Sequence, residues 1–352
     1  MSAARYGLRN GHPAKLLLIA FVAAVAFSAC GDLTQSTQQP VGDNAREIQE
    51  LFMPILWIAV AIFVLVQGYL IYSIVRFRRR SDSDPIPVQV HGDARLEAVW
   101  TLAPAVIVIA LAVMTFRTIA AQAQDPPADA LRVNVVGHQW WWEFEYPDLG
   151  IETANELWVP VGRTIDLTIE STDVIHSFWF PQIAGKIDAV PGKTNRIHFT
   201  VPLTAAGNRY QGQCAEFCGF AHAQMKMLLF AASEENFDNW VAAMKSMPSA
   251  ASEAMTGAEI FSARCNVCHS IRGKPAIVDP ATPGACPKSC GPNLTGLGMR
   301  TMIGAAHIEN TDENLTAWIT DPNEVKPGVY MPALGLSVSE TADVVAYLQS
   351  MN

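Results

Sequence analysis

The chain has 352 residues; half are hydrophobic, only 16% are charged, and the formal net charge is −9. This length predicts two or three domains, and so apolar and weakly charged a balance points to membrane segments. No nucleic-acid partner is expected, whereas an acidic surface would attract basic proteins at low ionic strength.

The first thirty residues read as a targeting segment. Arg5, Arg9 and Lys15 precede an apolar stretch, Leu16 to Phe27, and small residues follow. Phe27-Ser28-Ala29-Cys30 resembles a lipoprotein box, with Cys30 as the lipidated first residue of the mature chain. Cleavage after Ala24-Val25-Ala26, or none, is the alternative. Gly31 to Asn44 is polar and reads as a tether. Residues 44–122 then predict a transmembrane hairpin. Leu51 to Val75 and Leu96 to Ala121 are long apolar runs, each sufficient for the ~20 helical residues that cross a hydrocarbon core. Arg76, Arg78, Arg79 and Arg80 directly follow the first run, which puts the connecting loop in the cytoplasm. Everything beyond Ala121 is then extracytoplasmic. Glu97 stands near the start of the second run, three residues before Trp100, as a carboxylate at the membrane edge or a functional group.

Residues 131–232 alternate short apolar runs with Gly, Pro and Asn breaks. Arg132 to Val136, Leu157 to Val159, Thr164 to Glu170, Arg196 to Val201 and Met225 to Ala231 predict strands of an all-β sandwich or barrel. An aromatic run, Gly137 to Tyr146, includes Trp140, Trp141 and Trp142; a buried cluster and an exposed docking patch are both open readings. His176 follows a strand-like run and lies among Phe178, Trp179 and Phe180, which would exclude water. Then Cys214, Glu216, Cys218, His222 and Met225 fall within twelve residues. Soft sulfur donors select copper or zinc over magnesium or calcium. A single electron-transfer copper takes one cysteine, two histidines and a weak axial methionine. Two cysteines could instead bridge a copper pair, with His176 as the second histidine. A disulfide or a tetrahedral Cys2His2 zinc site is the alternative, but neither gives Met225 a task.

Glu235 to Met247 is a helix candidate within a linker, 233–253. Beyond it, Cys265-Asn266-Val267-Cys268-His269 is the haem c attachment pattern. Its two thiols add across the haem vinyl groups, and His269 is placed to ligate the iron. The sixth ligand should be a downstream methionine. Met331, beside Pro332, fits best, with Met299 and Met302 as alternatives. A helix is expected from Gly257 through His269 and another over Ser337 to Met351, opened by a Ser337–Glu340 capping box. Between them Cys286 and Cys290 stand in an insert; a disulfide is the default, a third metal site the alternative.

Taken together, the copper loop, His176 and the tryptophan run resemble the binuclear copper centre (CuA) of cytochrome c oxidase subunit II. Residues 254–352 resemble a class I cytochrome c, and the fusion is similar to a caa-type terminal oxidase. The resemblance implies a multidomain fold: a two-helix transmembrane hairpin, an all-β cupredoxin-like Greek-key domain over 131–232 and an all-α cytochrome c domain. It implies that the Glu216 carbonyl also ligates copper while its carboxylate helps hold magnesium against subunit I. It makes Trp140 the electron entry point and Glu97 the mouth of a proton channel. Tyrosine is more usual where Trp141 stands. The implied activity is electron input, via haem c and CuA, to haem a of subunit I. Oxygen is reduced to water there, with proton translocation, in a bacterial plasma membrane. Subunit III is a further expected partner, and the donor would be a cytochrome or a quinol:cytochrome c reductase. A membrane-tethered copper and haem shuttle without an oxidase is the alternative, and it would not need Glu97.

Overall fold

Two long helices lead the described part of the chain: α1, Asp43–Arg76, and α2, Ala94–Gln122. The computed structural model describes residues 34–78, 81, 88–89, 91–247, 256–271 and 291–352, besides 17 and 20–22. Cys30, Arg79, Arg80, Cys286 and Cys290 lie outside the described residues. Both helices have apolar residues on all sides and expose them, as a membrane span does. Asp93 caps α2, its side chain accepting from Arg95 N (2.9 Å) and Leu96 N (3.2 Å).

Helix α1 begins eight residues before the apolar run, because its first turn is fastened to the β-domain. Val41 N and Gly42 N donate to Gln182 O (2.6 and 3.0 Å), and Ala45 N donates to Ile183 O (3.3 Å). Asn44 Oδ1 accepts from Gly185 N (3.0 Å), and Asp43 Oδ1 accepts from Thr200 N (2.7 Å). A Cβ at Gly42 would lie 2.1 Å from Ile183 O, so only glycine permits this approach.

The β-domain is a sandwich of two five-stranded sheets. One runs β3 (Ile151–Ala154), β2 (Trp141–Tyr146), β1 (Leu131–His138), β5 (Thr164–Ser171), β8 (Asn195–Thr200). The other runs β4 (Glu156–Pro160), β10 (Lys226–Ala232), β9 (Arg209–Cys214), β6 (His176–Trp179), β7 (Ile187–Ala189). The pairs β1–β5 and β4–β10 are parallel, the others antiparallel. Alternate residues of each strand face the opposing sheet: Val133, Val135, Leu157, Val159, Ile165 and Leu167 are fully buried there. Helix α3 (Glu234–Ser246), capped by Ser233, adds Phe237, Trp240 and Met244 to the same core.

Among the described residues the C-terminal domain holds α4 (Thr256–Arg264), α5 (Asp312–Thr320), α6 (Pro322–Val325), α7 (Val338–Gln349) and a small ladder, β11 (Met302–Ile303) with β12 (Ile308–Glu309). Phe261, Leu315, Ile319, Val344 and Leu348 form its core. Helix α4 stops at Arg264 rather than reaching His269. Asn266 N reaches back five residues to Phe261 O (3.0 Å), which ends the α-helical ladder, and the Cys-x-x-Cys segment continues as turns. The hairpin, the cupredoxin-like sandwich and the helical cytochrome domain are the three architectures expected.

Candidate metal and haem sites

Cys214 ends β9, where β6 pairs with it (Phe178 opposite Cys214), so this register delivers His176 to the mouth of the 214–225 loop. Cys214 N donates to Met225 O (2.9 Å), closing the loop at its base. Inside it the two Sγ atoms lie 3.8 Å apart. His176 Nδ1 lies 3.9 Å from Cys214 Sγ, and His222 Nδ1 lies 3.5 Å from Cys218 Sγ. Met225 Sδ is 3.8 Å from Cys218 Sγ, and the Glu216 carbonyl oxygen is 3.2 Å from Cys214 Sγ. The Glu216 carboxylate belongs to an exposed residue. All six candidates from the sequence therefore meet, with the ligand atoms of His176, Cys214 and Cys218 within 4.8 Å of one another and all three residues buried.

Two thiols this close share a proton. Their mutual hydrogen bond pulls one thiol of the pair, Cys214, well below the usual thiol range, and the same bond together with burial pushes Cys218 up. Burial alone would lower His176, but Asp173 and Cys214 outweigh it and raise it. Asp173 Oδ1 engages His176 Nε2 at 2.8 Å, which turns Nδ1 towards the sulfurs. A Cβ at Gly137 would sit 2.9 Å from the His176 ring, so this glycine makes room for it. The sulfurs are far beyond the ~2.05 Å of a disulfide. Two sulfurs, two imidazole nitrogens, a thioether and a carbonyl exceed what a tetrahedral zinc uses and fit copper.

A second, largely apolar cavity in the C-terminal domain is lined by Cys265, Cys268, His269, Met302, Leu315 and Met331. His269 Nδ1 contacts Pro292 O at 2.8 Å, leaving Nε2 for a ligand role. A Cβ on Gly291 would fall 2.4 Å from the His269 ring, so the chain crosses the imidazole where only glycine fits. Arg300 also lines the cavity; burial brings it down to about 10, and its Nε has no partner among the described residues. Its Nη2 donates to Asn293 O, and a buried guanidinium with one spare donor beside an apolar slot fits a carboxylate of a haem. Met299 does not line this cavity but packs against both domain cores. Asn323 steadies the Met331 loop through Val329 O (3.2 Å), Met331 O (3.4 Å) and Gly328 N (3.0 Å).

Trp140 lies between the two sites. Only 6% exposed, it also lines the cavity that holds Cys265, Cys268 and His269, while its Nε1 donates to Cys218 O (3.0 Å). Its ring lies 5.0 Å from that of Tyr330. Trp141 stacks on His138 at 4.1 Å, and Trp142 is wholly buried against His176 and Phe178. No member of the tryptophan run is exposed, which answers the choice left open by the sequence.

Three family descriptions match the chain in order: the transmembrane domain of cytochrome c oxidase subunit II over 33–118, its periplasmic domain over 149–232, and cytochrome c over 254–352. Cytochrome c oxidase subunit 2 of Alkalihalophilus pseudofirmus is 32% identical over 346 residues, covering 96% of each chain. Its Bacillus subtilis counterpart is 34% identical, covering 96% of this chain and 97% of the relative. The chain belongs to the cytochrome c oxidase subunit II family. A solved periplasmic domain of subunit II from Bradyrhizobium japonicum is 33% identical, covers 35% of this chain and 97% of its own, and has a TM-score of 0.32. As a subunit II protein the chain is a membrane protein and the electron-input part of an oxidase working with subunit I. Copper and haem c are the cofactors its two extramembrane domains imply.

Three site residues were missed in the sequence. Asp173 had a faint signal, an acid three residues before His176. Gln139 Nε2 donates to Cys218 O (2.7 Å) and Lys326 Nζ donates to Trp140 O (3.1 Å). Neither had any signal, because each partner is distant in the chain.

Proposed function

We propose that the chain takes up electrons on its C-terminal domain and delivers them, through Trp140 and the 214–225 loop, to haem a of subunit I. Oxygen is reduced to water there, with proton translocation. The observation carrying this reading is that Trp140 touches both sites at once, hydrogen-bonded to Cys218 and lining the cavity that holds Cys265, Cys268 and His269. Cys214 and Cys218, together with His176, His222, Met225 and the Glu216 carbonyl, would hold two coppers. Cys265 and Cys268 would hold haem c, with His269 and Met331 as the ligands to its iron. When bound, these groups would supply one-electron redox centres. Asp173 fixes the His176 ring, and Trp142 and Phe178 keep water from it.

Further parts of the reading follow the same logic. The exposed Glu216 carboxylate faces outward, where it can help hold magnesium against subunit I. Glu97, in the first turn of α2, serves as the entrance of a proton channel. The basic residues after α1 orient the hairpin with both ends extracytoplasmic, and Cys30 anchors the mature chain by a lipid. Subunit III and a donor cytochrome or quinol:cytochrome c reductase complete the set of partners. A shuttle acting without an oxidase is disfavoured by membership in an oxidase-subunit family.

Cys218→Ser tests the route. A hydroxyl seldom ionises and is a poor copper donor, so the bridging site is lost. Haem c should still be reduced by a soluble donor at its normal rate, while haem a stays oxidised and oxygen uptake collapses. Rapid-mixing spectroscopy resolves the two haems; reduction of haem a at the wild-type rate would overturn the proposal.

A further inference from the structure

The two extramembrane domains each bury an ionisable side chain in the other. Lys326, from the cytochrome domain, is 1% exposed; its Nζ donates to Trp140 O (3.1 Å) and to Gly304 O (2.9 Å). Glu156, on β4 of the sandwich, is 2% exposed and accepts from Thr301 N (2.8 Å), Thr301 Oγ1 (2.7 Å) and Met302 N (3.0 Å). Lysine and glutamate are almost never fully buried unless their charges are met by hydrogen bonds. Each domain therefore completes the other's polar core. The contact continues where Lys226 N donates to Ala305 O (3.3 Å) and Tyr330 OH donates to Gln139 Oε1 (3.0 Å).

The backbone at this seam is strained. Gly304, Ala305 and Ala306 have φ of 64°, 66° and 53° in succession, a left-handed region that alanine seldom enters. Such strain persists where the surroundings over-determine it. Here Ala305 is 2% exposed and packs on Trp141 and Ala154 of the sandwich.

We infer that Lys326 and Glu156 are paired anchors, one from each domain, that seat the cytochrome domain on the copper domain in one fixed pose and reserve Trp140 for this chain's own haem. Both are positioning residues. The inference rests on the reading of Trp140 and the two sites given above. It makes the chain a preassembled pair rather than a mobile carrier on a tether. A soluble donor cannot reach the covered indole and must deliver its electron to the cytochrome domain.

The test uses the full chain in its holo-oxidase complex. In the wild type, amide hydrogen exchange at Lys226, Thr301 and Met302 should be as slow as at sheet amides such as Leu229. Exchange at the rate of unprotected amides would overturn the inference. Lys326→Met and Glu156→Gln should each slow transfer from haem c to copper by about tenfold, since small losses of alignment cost rate steeply. The ferric sulfur-ligation band and the copper resonance should be unchanged in both. Wild-type transfer rates in both variants would also overturn it, and if a variant loses its spectroscopic signatures, the wild-type exchange decides alone. A wild-type complex without covalent haem or bound copper would sink the underlying reading instead, and the exchange result would still judge the anchors.

Discussion

Asp173 makes the copper site more than its ligands. One carboxylate engages His176 Nε2 (2.8 Å), Gln139 N (2.6 Å) and Val174 N (2.6 Å), so the same side chain orients a candidate ligand and the turn that carries Trp140. The iron ligands pose a sharper residue-scale question, because Met331 and Met302 line the same cavity. Met302 N is already bound by Glu156 at the domain seam, whereas Met331 lies on a loop steadied by Asn323 and by the Tyr330–Gln139 hydrogen bond. Met331→Ala should leave the haem covalently attached, abolish the ferric band near the red edge of the visible spectrum and lower the potential. Met302→Ala should keep the band; the reverse pattern would reassign the ligand. At this scale the sequence was legible where chemistry is concentrated. Cys214, Cys218, His222 and Met225 are rare donors within one loop, and Cys265, Cys268 and His269 are contiguous. Lys326 and Glu156 were invisible because an ordinary lysine and glutamate become special only once another domain covers them.

Among the elements, strands with a clean apolar alternation, such as β1 and β5, were readable within a residue or two. Strand β2 was not, because Trp141, Trp142, Phe144 and Tyr146 are all buried and the run reads as an aromatic cluster. Short β6 and β7 carry too few residues for a period to show, and in β9 the buried positions are Tyr210, Gly212 and Cys214, too weakly apolar to mark a strand. Local signals did better at helix ends. At α7, Ser337 Oγ accepts from Glu340 N (3.3 Å) while Glu340 Oε2 accepts from Ser337 N (2.8 Å), the reciprocal pair expected from the spacing. Ser337→Ala should destabilise the cytochrome domain by ~1 kcal/mol, read as a lowered unfolding midpoint of the holoprotein; no shift would mean the cap is idle. The Ser337 amide also holds the Glu340 carboxyl below its usual range. A depressed folded-state value means this contribution is present at neutral pH and fades as acid titrates the carboxylate.

For the whole molecule, the two ends of the hairpin do different work. Glu97 lies in the first turn of α2, at the end of the hairpin remote from the sandwich contact at residues 41–45. Glu97→Gln keeps size and hydrogen bonding but removes the proton, so turnover should slow while haem c and copper reduce normally. Stopped-flow reduction of haem a and then of the oxygen site checks this; unchanged rates in both phases would return Glu97 to a plain interfacial carboxylate. The opposite end is mechanical. Helix α1 is 34 residues long, about 51 Å at ~1.5 Å per residue, against a hydrocarbon core of ~30 Å. Its first turn therefore projects from the bilayer as a stalk, and Gly42 welds that stalk to the 182–185 loop. A thinner or thicker bilayer changes the tilt of such a helix. With no swivel at the weld, the copper domain must lean with it, so lipid thickness becomes a lever on how the copper loop faces subunit I.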